Sequence, residues 1–314
     1  MRLSEFTGDG IMNSKNFYAT VNLDRQANRR SDTKWINKHL ISQESRILPV
    51  WRGQSFVSIG ESLSAAYLNY ESLQSLKLKD KPIFLGSLND YSYFCVDLSH
   101  LELPIEAVPT GTDKDFIDLR QIGGVMSPDE ANLLAYARGI SYWHQRNIYC
   151  GVCGKLTIVE ESGHHRRCEN KKCNTIQFPR TDSACIVLVH NGDNIILARA
   201  DRFPPKMQSV LAGFLEPGES LEDCVAREVF EEVGIHLADI HYRHSQPWPF
   251  PSSLMIGFRA RAISFDLKPD EKELVSADWF TRKELKAITP ESDLQLPRKD
   301  SIARRLIDEW LDEN

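Results

Sequence analysis

The feature that most constrains this chain is a run of acidic residues between two glycines, in the segment GFLEPGESLEDCVAREVFEEVGI at residues 213–235. Glu231 and Glu232 lie three and four residues after Glu228, so on a helix the three side chains share one face. Like charges at this spacing repel each other and weaken a helix. Hard divalent cations such as Mg²⁺ or Mn²⁺ offset that repulsion, because they prefer carboxylate and carbonyl oxygens. We therefore predict that these glutamates hold a catalytic metal.

The same segment predicts the helix that would present the carboxylates. Ser220 is a favourable N-cap residue, and Asp223 stands where the acid of a capping box belongs. Gly234 suits the left-handed position that ends many helices. An apolar residue recurs at every fourth position and predicts a core-facing side: Leu221, Val225, Val229 and Val233. For any single pair of glutamates, the alternative is a solvated acidic helix without metal.

Length and composition narrow the class of protein. The chain has 314 residues, of which 41% are hydrophobic, and this is enough for two domains with ordinary cores. A formal net charge of −6 argues against a general nucleic-acid-binding surface but leaves room for a small basic groove. The sequence has no apolar run of about 18 residues and no signal-peptide core in Met1–Asn28. We therefore expect no membrane span and a cytoplasmic protein.

Four of the seven cysteines form a second candidate metal site. Cys150 and Cys153 make one pair, and Cys168 and Cys173 make another after fourteen intervening residues. Two such pairs supply four thiolates for tetrahedral zinc, and a site with four protein ligands is structural rather than catalytic. The alternatives are four buried free cysteines, or a site in which a neighbouring histidine replaces one cysteine. The remaining cysteines, in apolar contexts, are expected in cores: Cys95, Cys185 and Cys224.

Strand patterns indicate a mixed α+β architecture. The strand-like runs are Ile47–Phe56, Pro82–Leu88, Tyr91–Leu98, Ala184–His190, Asn194–Arg199 and Met255–Phe265. The turn residues Asn191-Gly192 predict a hairpin between two of them. Residues 1 to about 30 are polar, and we expect them to be partly loose.

Two further helices are predicted. One covers 127–146, with Ser127 as N-cap, Pro128 in the first turn and Glu130 completing a capping box. The other is an amphipathic helix from about Ser301 to Leu311.

The spacing of the acidic segment resembles that of a known enzyme family. The matching residues are Gly213, Glu219, Arg227, Glu228, Glu231, Glu232 and Gly234, and together they resemble the box of the Nudix hydrolases. A four-cysteine ribbon before the box and the string SQPWPFPSSLM at Ser245–Met255 after it are similar to the NADH pyrophosphatase subfamily. The FPRTDSA segment at Phe178–Ala184 also resembles that subfamily, with Ser183 in place of its usual proline.

The resemblance implies a fold and its boundaries. We expect a Nudix α/β/α sandwich with a mixed sheet, preceded by a zinc ribbon and a smaller α+β N-terminal domain. The predicted domains are 1–146 for the N-terminal domain, 147–177 for the ribbon and 178–314 for the Nudix hydrolase domain.

The resemblance also implies site residues. The Ala212 carbonyl and the Glu273 carboxylate are expected to join the three glutamates at the metal, while Glu219 braces the loop. Which glutamate polarises the attacking water is left open. Phe178 and Phe214 correspond to adenine-stacking aromatics, although bare aromatics of this kind are more often core residues. The other implied substrate contacts are Arg120, Gln246, Pro247, Trp248, Pro249, Phe250, Pro251, Ser252, Ser253 and Ala303.

The implied activity is hydrolysis of NADH or NAD⁺ to nicotinamide mononucleotide and AMP, with removal of NAD caps from RNA 5′ ends as a related activity. The implied assembly is a homodimer with one structural zinc per chain and a catalytic Mg²⁺ or Mn²⁺. One alternative is a broader dinucleotide or ADP-ribose pyrophosphatase. The other is a non-catalytic nucleotide sensor, which the complete set of box glutamates disfavours.

Overall fold

The computed structural model describes residues 16–19, 22–108 and 113–313. These residues form two compact units. The first unit contains 22–108, 113–181 and the short segment Trp248–Ser252, and the second contains 16–19, 182–247 and 253–313. None of the helices in the described ranges is long and apolar enough to cross a membrane.

The first unit begins with a six-stranded sheet in the order β3-β2-β1-β5-β4, with β6 paired to β2. Its strands are β1 (Ser45–Trp51), β2 (Gln54–Ile59), β3 (Leu63–Ala65), β4 (Ile83–Leu88), β5 (Tyr91–Asp97) and β6 (Lys114–Ile117). The helices around it are α1 (Thr33–Leu40), α2 (Tyr70–Gln74), α3 (Pro104–Ala107), α4 (Leu119–Ile122) and α5 (Pro128–Arg146). The predicted single run Ile47–Phe56 is in fact a hairpin, because the chain reverses at Arg52-Gly53 between β1 and β2.

Helix α5 begins as predicted, but its cap differs in detail. Ser127 is the N-cap residue and accepts a hydrogen bond from the Glu130 N–H, and Pro128 occupies the first turn. The Glu130 carboxylate does not complete a capping box. It accepts the Ser127 hydroxyl at 2.9 Å and the Ala65 N–H at 3.0 Å, which ties the helix to β3.

The cysteine-rich segment folds into a small three-stranded sheet in the order β7-β8-β9. Its strands are β7 (Thr157–Glu160), β8 (His165–Cys168) and β9 (Ile176–Gln177). Both pairings are antiparallel, which brings the two cysteine pairs to one end of the sheet.

The second unit is built on a mixed sheet in the order β13-β14-β10-β11-β15, with β12 paired to β10. Its strands are β10 (Asp182–Asn191), β11 (Asn194–Ala200), β12 (Leu211–Phe214), β13 (Leu237–Trp248), β14 (Ser253–Ala262) and β15 (Leu274–Thr281). Its helices are α6 (Leu221–Val233), α7 (Arg282–Lys286) and α8 (Ile302–Asp312). The β10–β14 pair is parallel, whereas β11 and β12 run antiparallel to β10. The β10–β11 turn lies at Gly192-Asp193, one residue later than predicted.

Helices cover both faces of this sheet. Alternate residues of β10 point to opposite sides, as a strand requires. Cys185 and Val187 pack with Val225 and Val229 of α6, whereas Leu188 packs on the other face. That other face carries α8 through residues including Leu306, Ile307 and Trp310. The predicted α/β/α sandwich with a mixed sheet is therefore confirmed.

The start of the described chain is held more firmly than its composition suggested. Asn16 and Tyr18 are buried in the second unit. The Asn16 amide donates to the Ser245 carbonyl at 2.7 Å, and the Tyr18 hydroxyl donates to the Asp300 carboxylate at 2.9 Å. These residues belong to the held part of a segment that was expected to be partly loose, and most of that segment, residues 1–15, lies outside the described residues.

Candidate functional site

Helix α6 carries the acidic residues and forms for the reasons that its sequence indicated. Ser220 and Asp223 make a reciprocal capping box at its start. At its end, Gly234 adopts a left-handed conformation with φ of 71°, and its N–H donates to the Phe230 carbonyl at 2.8 Å. Val225 and Val229 are fully buried against the sheet. This anchoring directs the acidic side of the helix away from the core.

Arg227 organises three of the carboxylates. Its guanidinium contacts Glu219 at 2.5 Å, Glu228 at 2.9 Å and Glu231 at 3.0 Å. It also donates to the Phe214 carbonyl at 3.0 Å, so the helix is joined to the end of strand β12, where the loop 215–220 begins. The hydrogen bond from Arg227 lowers the pKa of Glu219 to about 2. Glu219 is therefore ionised and braces the loop, as the resemblance implied.

Gly213 is required because the Glu228 carboxylate lies directly against it. A Cβ atom at position 213 would stand 1.8 Å from the Glu228 Cδ, which is far inside any permitted contact. Burial raises the pKa of Glu228, and the nearby charges of Glu231 and Glu273 add to that effect. Gly213 thus makes room for the Glu228 carboxylate, whose charged form is disfavoured by burial and by the neighbouring acids.

Glu232 is the most deeply buried acid of the group, with a relative exposure of 7%. The Ala212 N–H is close enough to lower the pKa of the Glu232 carboxyl group, but the Oε2 atom of Glu232 has no hydrogen-bond partner among the described residues. Burial raises the pKa of Glu232 to about 8, helped by the charges of Glu228 and Glu273 and opposed by that of Arg202. A buried carboxylate oxygen without a donor is the environment that a bound cation would satisfy.

Ala212 lies on β12, opposite Ile186 of β10. The N–H and C=O groups of a strand residue point to the same side. Because the Ala212 N–H is directed to Glu232, its carbonyl points towards the acidic helix as well. This orientation fits the expected role of the Ala212 carbonyl as a metal ligand.

Glu273 comes from a loop that is bound to the end of α6. The Lys268 N–H donates to the Val233 carbonyl, and the Asp270 N–H donates to the Glu232 carbonyl, each at 2.9 Å. Glu273 follows three residues later, and its charge acts on both Glu228 and Glu232. The backbone of this loop thus brings an exposed surface acid next to the helix carboxylates.

The acidic side chains lie near one another, but their oxygen atoms do not form a tight cluster. Glu231 is turned towards Arg227, and its side chain is 59% exposed. Among the described residues, only the four cysteines form a group of three or more His, Cys, Asp or Glu residues with ligand atoms all within 4.8 Å. The carboxylate set with the Ala212 carbonyl fits Mg²⁺ or Mn²⁺ in ligand chemistry.

The four cysteines have the geometry of a zinc site. The Sγ atoms of Cys150 and Cys173 are 3.8 Å apart, and those of Cys153 and Cys168 are 3.4 Å apart. Zinc–sulfur bonds of about 2.3 Å at tetrahedral angles place sulfur atoms about 3.8 Å apart. The N–H groups of Cys153 and Val152 lower the pKa of Cys150 to about 6, and Thr175 lowers the pKa of Cys173, whereas burial raises the pKa of Cys168. Cys150 and Cys173 are thus the thiols most readily converted to the thiolates that zinc requires.

Neither neighbouring histidine replaces a cysteine. His164 Nε2 binds the Phe84 carbonyl at 2.7 Å, and His165 Nε2 binds the Glu160 carboxylate at 2.7 Å. The mixed-ligand alternative is therefore not supported. The other three cysteines are buried in cores, as expected.

Both proposed stacking aromatics are exposed. Phe178 is 58% exposed and Phe214 is 59% exposed, so neither ring is part of a core. Phe178 makes an edge contact with His165 at a centroid distance of 5.7 Å.

Gln246 differs from its predicted role. Its side chain is 1% exposed and donates to the carbonyls of Phe17 at 2.9 Å and Asp300 at 2.8 Å. Its Oε1 atom accepts the Ile302 N–H, the first of helix α8, at 2.7 Å. Because both polar atoms of its side-chain amide are used in this way, the Gln246 side chain supports the surrounding chain and does not face a ligand.

The segment after Gln246 packs within the first unit. The Trp248 and Phe250 rings meet edge to face at 5.0 Å. Arg138 of α5 donates to the Pro249 carbonyl at 2.8 Å, and its guanidinium carbon lies 5.0 Å from the Phe250 ring centre. Arg138 was not predicted from the sequence, although a charged residue among the apolar positions of α5 could have indicated a polar contact there. Of the rest of the proposed lining, Pro247 and Pro251 are exposed, and Ser252 and Ser253 are half-buried.

The two remaining predicted contacts, Ala303 and Arg120, lie on different helices. Ala303 has a buried side chain, but it lies in the first turn of α8, and its N–H has no partner among the described residues. Arg120 is exposed on the short helix α4. Gly163 has φ of 100°, and a Cβ there would lie 2.5 Å from Ile83, so this position requires glycine.

Comparison with known proteins places this geometry in a family. Residues 179–305 match the NUDIX domain, and residues 44–143 match the NADH pyrophosphatase-like rudimentary NUDIX domain.

Three relatives carry related names. The NAD-capped RNA hydrolase NudC of Pseudomonas aeruginosa is 45% identical over 183 residues, which cover 58% of this chain and 62% of that protein. The human NAD-capped RNA hydrolase NUDT12 is 40% identical over 193 residues, which cover 58% of this chain and 42% of that protein. The NAD-capped RNA hydrolase NudC of Mycobacterium bovis is 37% identical over 261 residues, covering 75% and 78%. The chain thus spans less than two thirds of the first two relatives and more than three quarters of the third. It belongs to the Nudix family, in the group that carries an NADH pyrophosphatase-like rudimentary Nudix domain before the Nudix domain.

Proposed function

We propose that this chain hydrolyses the pyrophosphate bond of NADH and NAD⁺, releasing nicotinamide mononucleotide and AMP, and that it acts in the same way on NAD-capped RNA. The observation that carries the proposal is the buried Glu232 carboxylate, with one oxygen lacking a donor, on the acidic face of α6. The names of the Pseudomonas, human and Mycobacterium relatives support the substrate class.

The reaction requires that the charges of the pyrophosphate be neutralised and that a water molecule be aligned with the leaving phosphate. A bound Mg²⁺ or Mn²⁺ supplies charge neutralisation and lowers the pKa of a bound water. The proposed ligands are Ala212 (carbonyl), Glu228, Glu231, Glu232 and Glu273. Arg227 holds Glu228 and Glu231 in place, and the Ala212 N–H orients Glu232.

Substrate recognition is assigned to exposed aromatic rings and free backbone groups. We assign adenine stacking to Phe178 and Phe214, whose exposure supports a platform rather than a core role. Stacking of a base on such a ring contributes roughly 1–3 kcal/mol. The Ala303 N–H is assigned to a backbone contact with the substrate, and Arg120 to a phosphate or ribose. Trp248, Phe250 and the prolines beside them are assigned to the lining of the dinucleotide pocket.

Three further features complete the proposal. One zinc ion per chain is held by Cys150, Cys153, Cys168 and Cys173 and has a structural role. The active form is a homodimer. The protein works in the cytoplasm, where reduced thiols persist.

The test is a comparison of initial rates on NADH, NAD⁺, ADP-ribose, diadenosine polyphosphates and NAD-capped RNA, each with Mg²⁺ and with Mn²⁺. The proposal expects NADH, NAD⁺ or NAD-capped RNA to be cleaved faster than ADP-ribose or the diadenosine compounds. A higher kcat/KM for ADP-ribose would favour the broader pyrophosphatase. Absence of hydrolysis with either metal, in zinc-loaded folded protein, would contradict an enzymatic role.

A further inference from the structure

The first unit contains a cavity of about 360 Å³ beside the β1–β2 turn. Two arginines line it together with polar and apolar residues, and no acidic residue is part of the lining. The lining residues are Val50, Arg52, Gly53, Ser99, Arg138, Tyr142, Gln145 and Pro251. Cavities of this size fall in the range of small-ligand sites, roughly 300–1,000 Å³.

Arg52 occupies a backbone position that does not suit arginine. Arg52 and Gly53 form a two-residue hairpin turn with φ of 49° and 79°, the signature of a type I′ turn. Asparagine or aspartate is preferred at the first of these positions, since most side chains resist positive φ. The turn is fixed by the Arg52 N–H, which donates to Ser99 Oγ at 2.8 Å. A residue held against its backbone preference at a cavity mouth is a feature of binding sites.

The guanidinium of Arg52 is available to a ligand. Its carbon lies 4.9 Å from the centre of the Trp51 ring, and no described carboxylate lies within 4.0 Å of its nitrogens. Arg138 is partly committed, since it contacts Asp118 at 3.3 Å and the Pro249 carbonyl. The missing side chain of Gly53 leaves the Arg138 guanidinium open, because a Cβ there would lie 3.3 Å from its nitrogens.

Neutral donors also face the cavity. Ser99 Oγ accepts hydrogen bonds from the Arg52 N–H at 2.8 Å and from Gln145 Nε2 at 3.0 Å, so its own hydrogen is left to donate. Another nearby acid, Asp97, is held by Gln145 Nε2 at 3.1 Å and by the Ser99 N–H at 2.9 Å. Its charge is thus partly compensated before any ligand arrives.

We infer that this cavity binds a phosphate group of a phosphate ester, with Arg52 and Arg138 as charged donors and Ser99 as a neutral one. Arginine suits this task because its planar fork matches the oxygens of phosphate. The phosphate belongs either to a free nucleotide or to the backbone of an RNA chain. The inference does not depend on the proposed activity, because its donors, Arg52, Arg138 and Ser99, are not among the residues assigned to the dinucleotide; of the lining, the proposed function uses only Pro251.

The test uses AMP as the probe, without added divalent metal, on the zinc-loaded full chain. Binding is followed by NMR through the Nε–Hε resonance of Arg138. The key variant is Arg52→Asn, which removes the guanidinium but supplies the residue that a type I′ turn prefers, so folding is not at risk. The matched control is Arg46→Ala. Arg46 lies on β1, and its guanidinium, like that of Arg52, lies over an aromatic ring, 4.1 Å from the centre of Tyr91.

We expect saturable AMP binding in the wild type and in Arg46→Ala. Arg52→Asn should weaken it by about tenfold or more, the loss of a charged hydrogen bond, with a melting temperature equal to or above that of the wild type. A 5′-monophosphorylated RNA oligomer is then titrated in the same way. Tighter binding of the oligomer than of AMP identifies an RNA backbone as the source of the phosphate, and equal or weaker binding identifies a free nucleotide. Absence of a saturable shift with both probes, or equal affinities in wild type and Arg52→Asn, would overturn the inference.

Discussion

At the scale of single residues, the active-site proposal depends on contacts that leave no room for substitution. Gly213 and Glu228 illustrate this, because the carboxylate occupies the space where any other residue would have its side chain. Glu232 is constrained in another way, because its Oε2 atom is buried and receives no hydrogen bond from a described donor. Both carboxyl groups have raised pKa values for the same reason, burial beside like charges.

Replacing Gly213 with alanine should displace Glu228 while leaving the fold intact. The new Cβ would overlap the Glu228 Cδ, and the helix itself is anchored by its apolar side. A misplacement of about 1 Å in a catalytic group can cost about 10²-fold in rate, and we expect a loss of that order in turnover together with a higher metal requirement. Steady-state rates across a Mg²⁺ titration measure both. Gly60→Ala is the control, because a Cβ there has its nearest contact at 3.9 Å. Wild-type rates in Gly213→Ala would remove Glu228 from the metal site.

Phe178→Ala and Phe214→Ala should raise the Michaelis constant for NADH. Loss of roughly 1–3 kcal/mol of stacking corresponds to about a five- to hundredfold change in affinity. Turnover at saturation should change little if the stacking is equal in the ground and transition states. Because both rings are exposed, the melting temperature should stay near that of the wild type. Early melting with an unchanged Michaelis constant would assign the rings to structure and place the adenine site elsewhere.

At the scale of elements, we expect the ribbon to depend on a bound zinc ion, because three short strands bury little apolar surface. Cys150→Ser should lower the zinc content and the melting temperature more than it alters the chemistry of the remaining folded protein. Structural zinc can contribute roughly 10–16 kcal/mol of apparent binding energy. Metal analysis of purified protein should give one zinc per chain in the wild type. Zinc-free protein with native stability and activity would refute the site.

Helix α5 introduces a pH dependence through His144. Its Nε2–H donates to the Gly163 carbonyl at 2.8 Å, and its Nδ1 accepts from Arg166 at 2.9 Å, so the ring is neutral. Burial lowers the pKa of His144 to about 4, and Arg166 adds to the effect. In the unfolded chain the ordinary pKa is about 6.5. At this residue the unfolded state therefore binds more protons between these values, and the contribution of His144 to the free energy of unfolding should decrease as the pH falls from about 6.5 to about 4.

The contribution of His144 to this loss should be about 3 kcal/mol, which follows from the size of the shift. Urea unfolding of wild type and His144→Gln at several pH values provides the measurement, and the variant should have the shallower slope over this range. His241→Gln, at an exposed position, is the control for removing a histidine. Equal slopes for wild type and His144→Gln would show that His144 is not buried as a neutral ring.

At the scale of the whole molecule, local patterns predicted the elements that carry strong signals. Caps and apolar spacing located α5, α6 and α8 to within a residue or two. The β1–β2 hairpin was missed because its turn is Arg-Gly rather than the usual Asn-Gly. Strand β13 was missed because it is mostly polar and lies at the edge of its sheet, where only one neighbour stabilises it.

The site follows the same division between local and distant information. Three glutamates and four cysteines could be identified from spacing alone, since neighbours in sequence become neighbours on a helix or in a ribbon. Glu273 required a family resemblance, because only the loop binding to the end of α6 brings it near. The supporting role of the Gln246 side chain could not be predicted, since its partners, Phe17, Asp300 and Ile302, are distant in sequence and nothing local indicates them.

The most direct test of the central claim is the rate at which AMP and reduced nicotinamide mononucleotide appear from NADH in wild type, Glu232→Gln and Glu222→Gln. Glu222 is an exposed acid in the first turn of the same helix and serves as the matched control. We predict equimolar formation of both products that requires Mg²⁺ or Mn²⁺, a loss of roughly 10²-fold or more in Glu232→Gln, and near wild-type rates in Glu222→Gln. A Glu232→Gln variant that keeps most of its activity at saturating Mg²⁺ and Mn²⁺ would contradict the assignment of the acidic face of α6 as the catalytic centre.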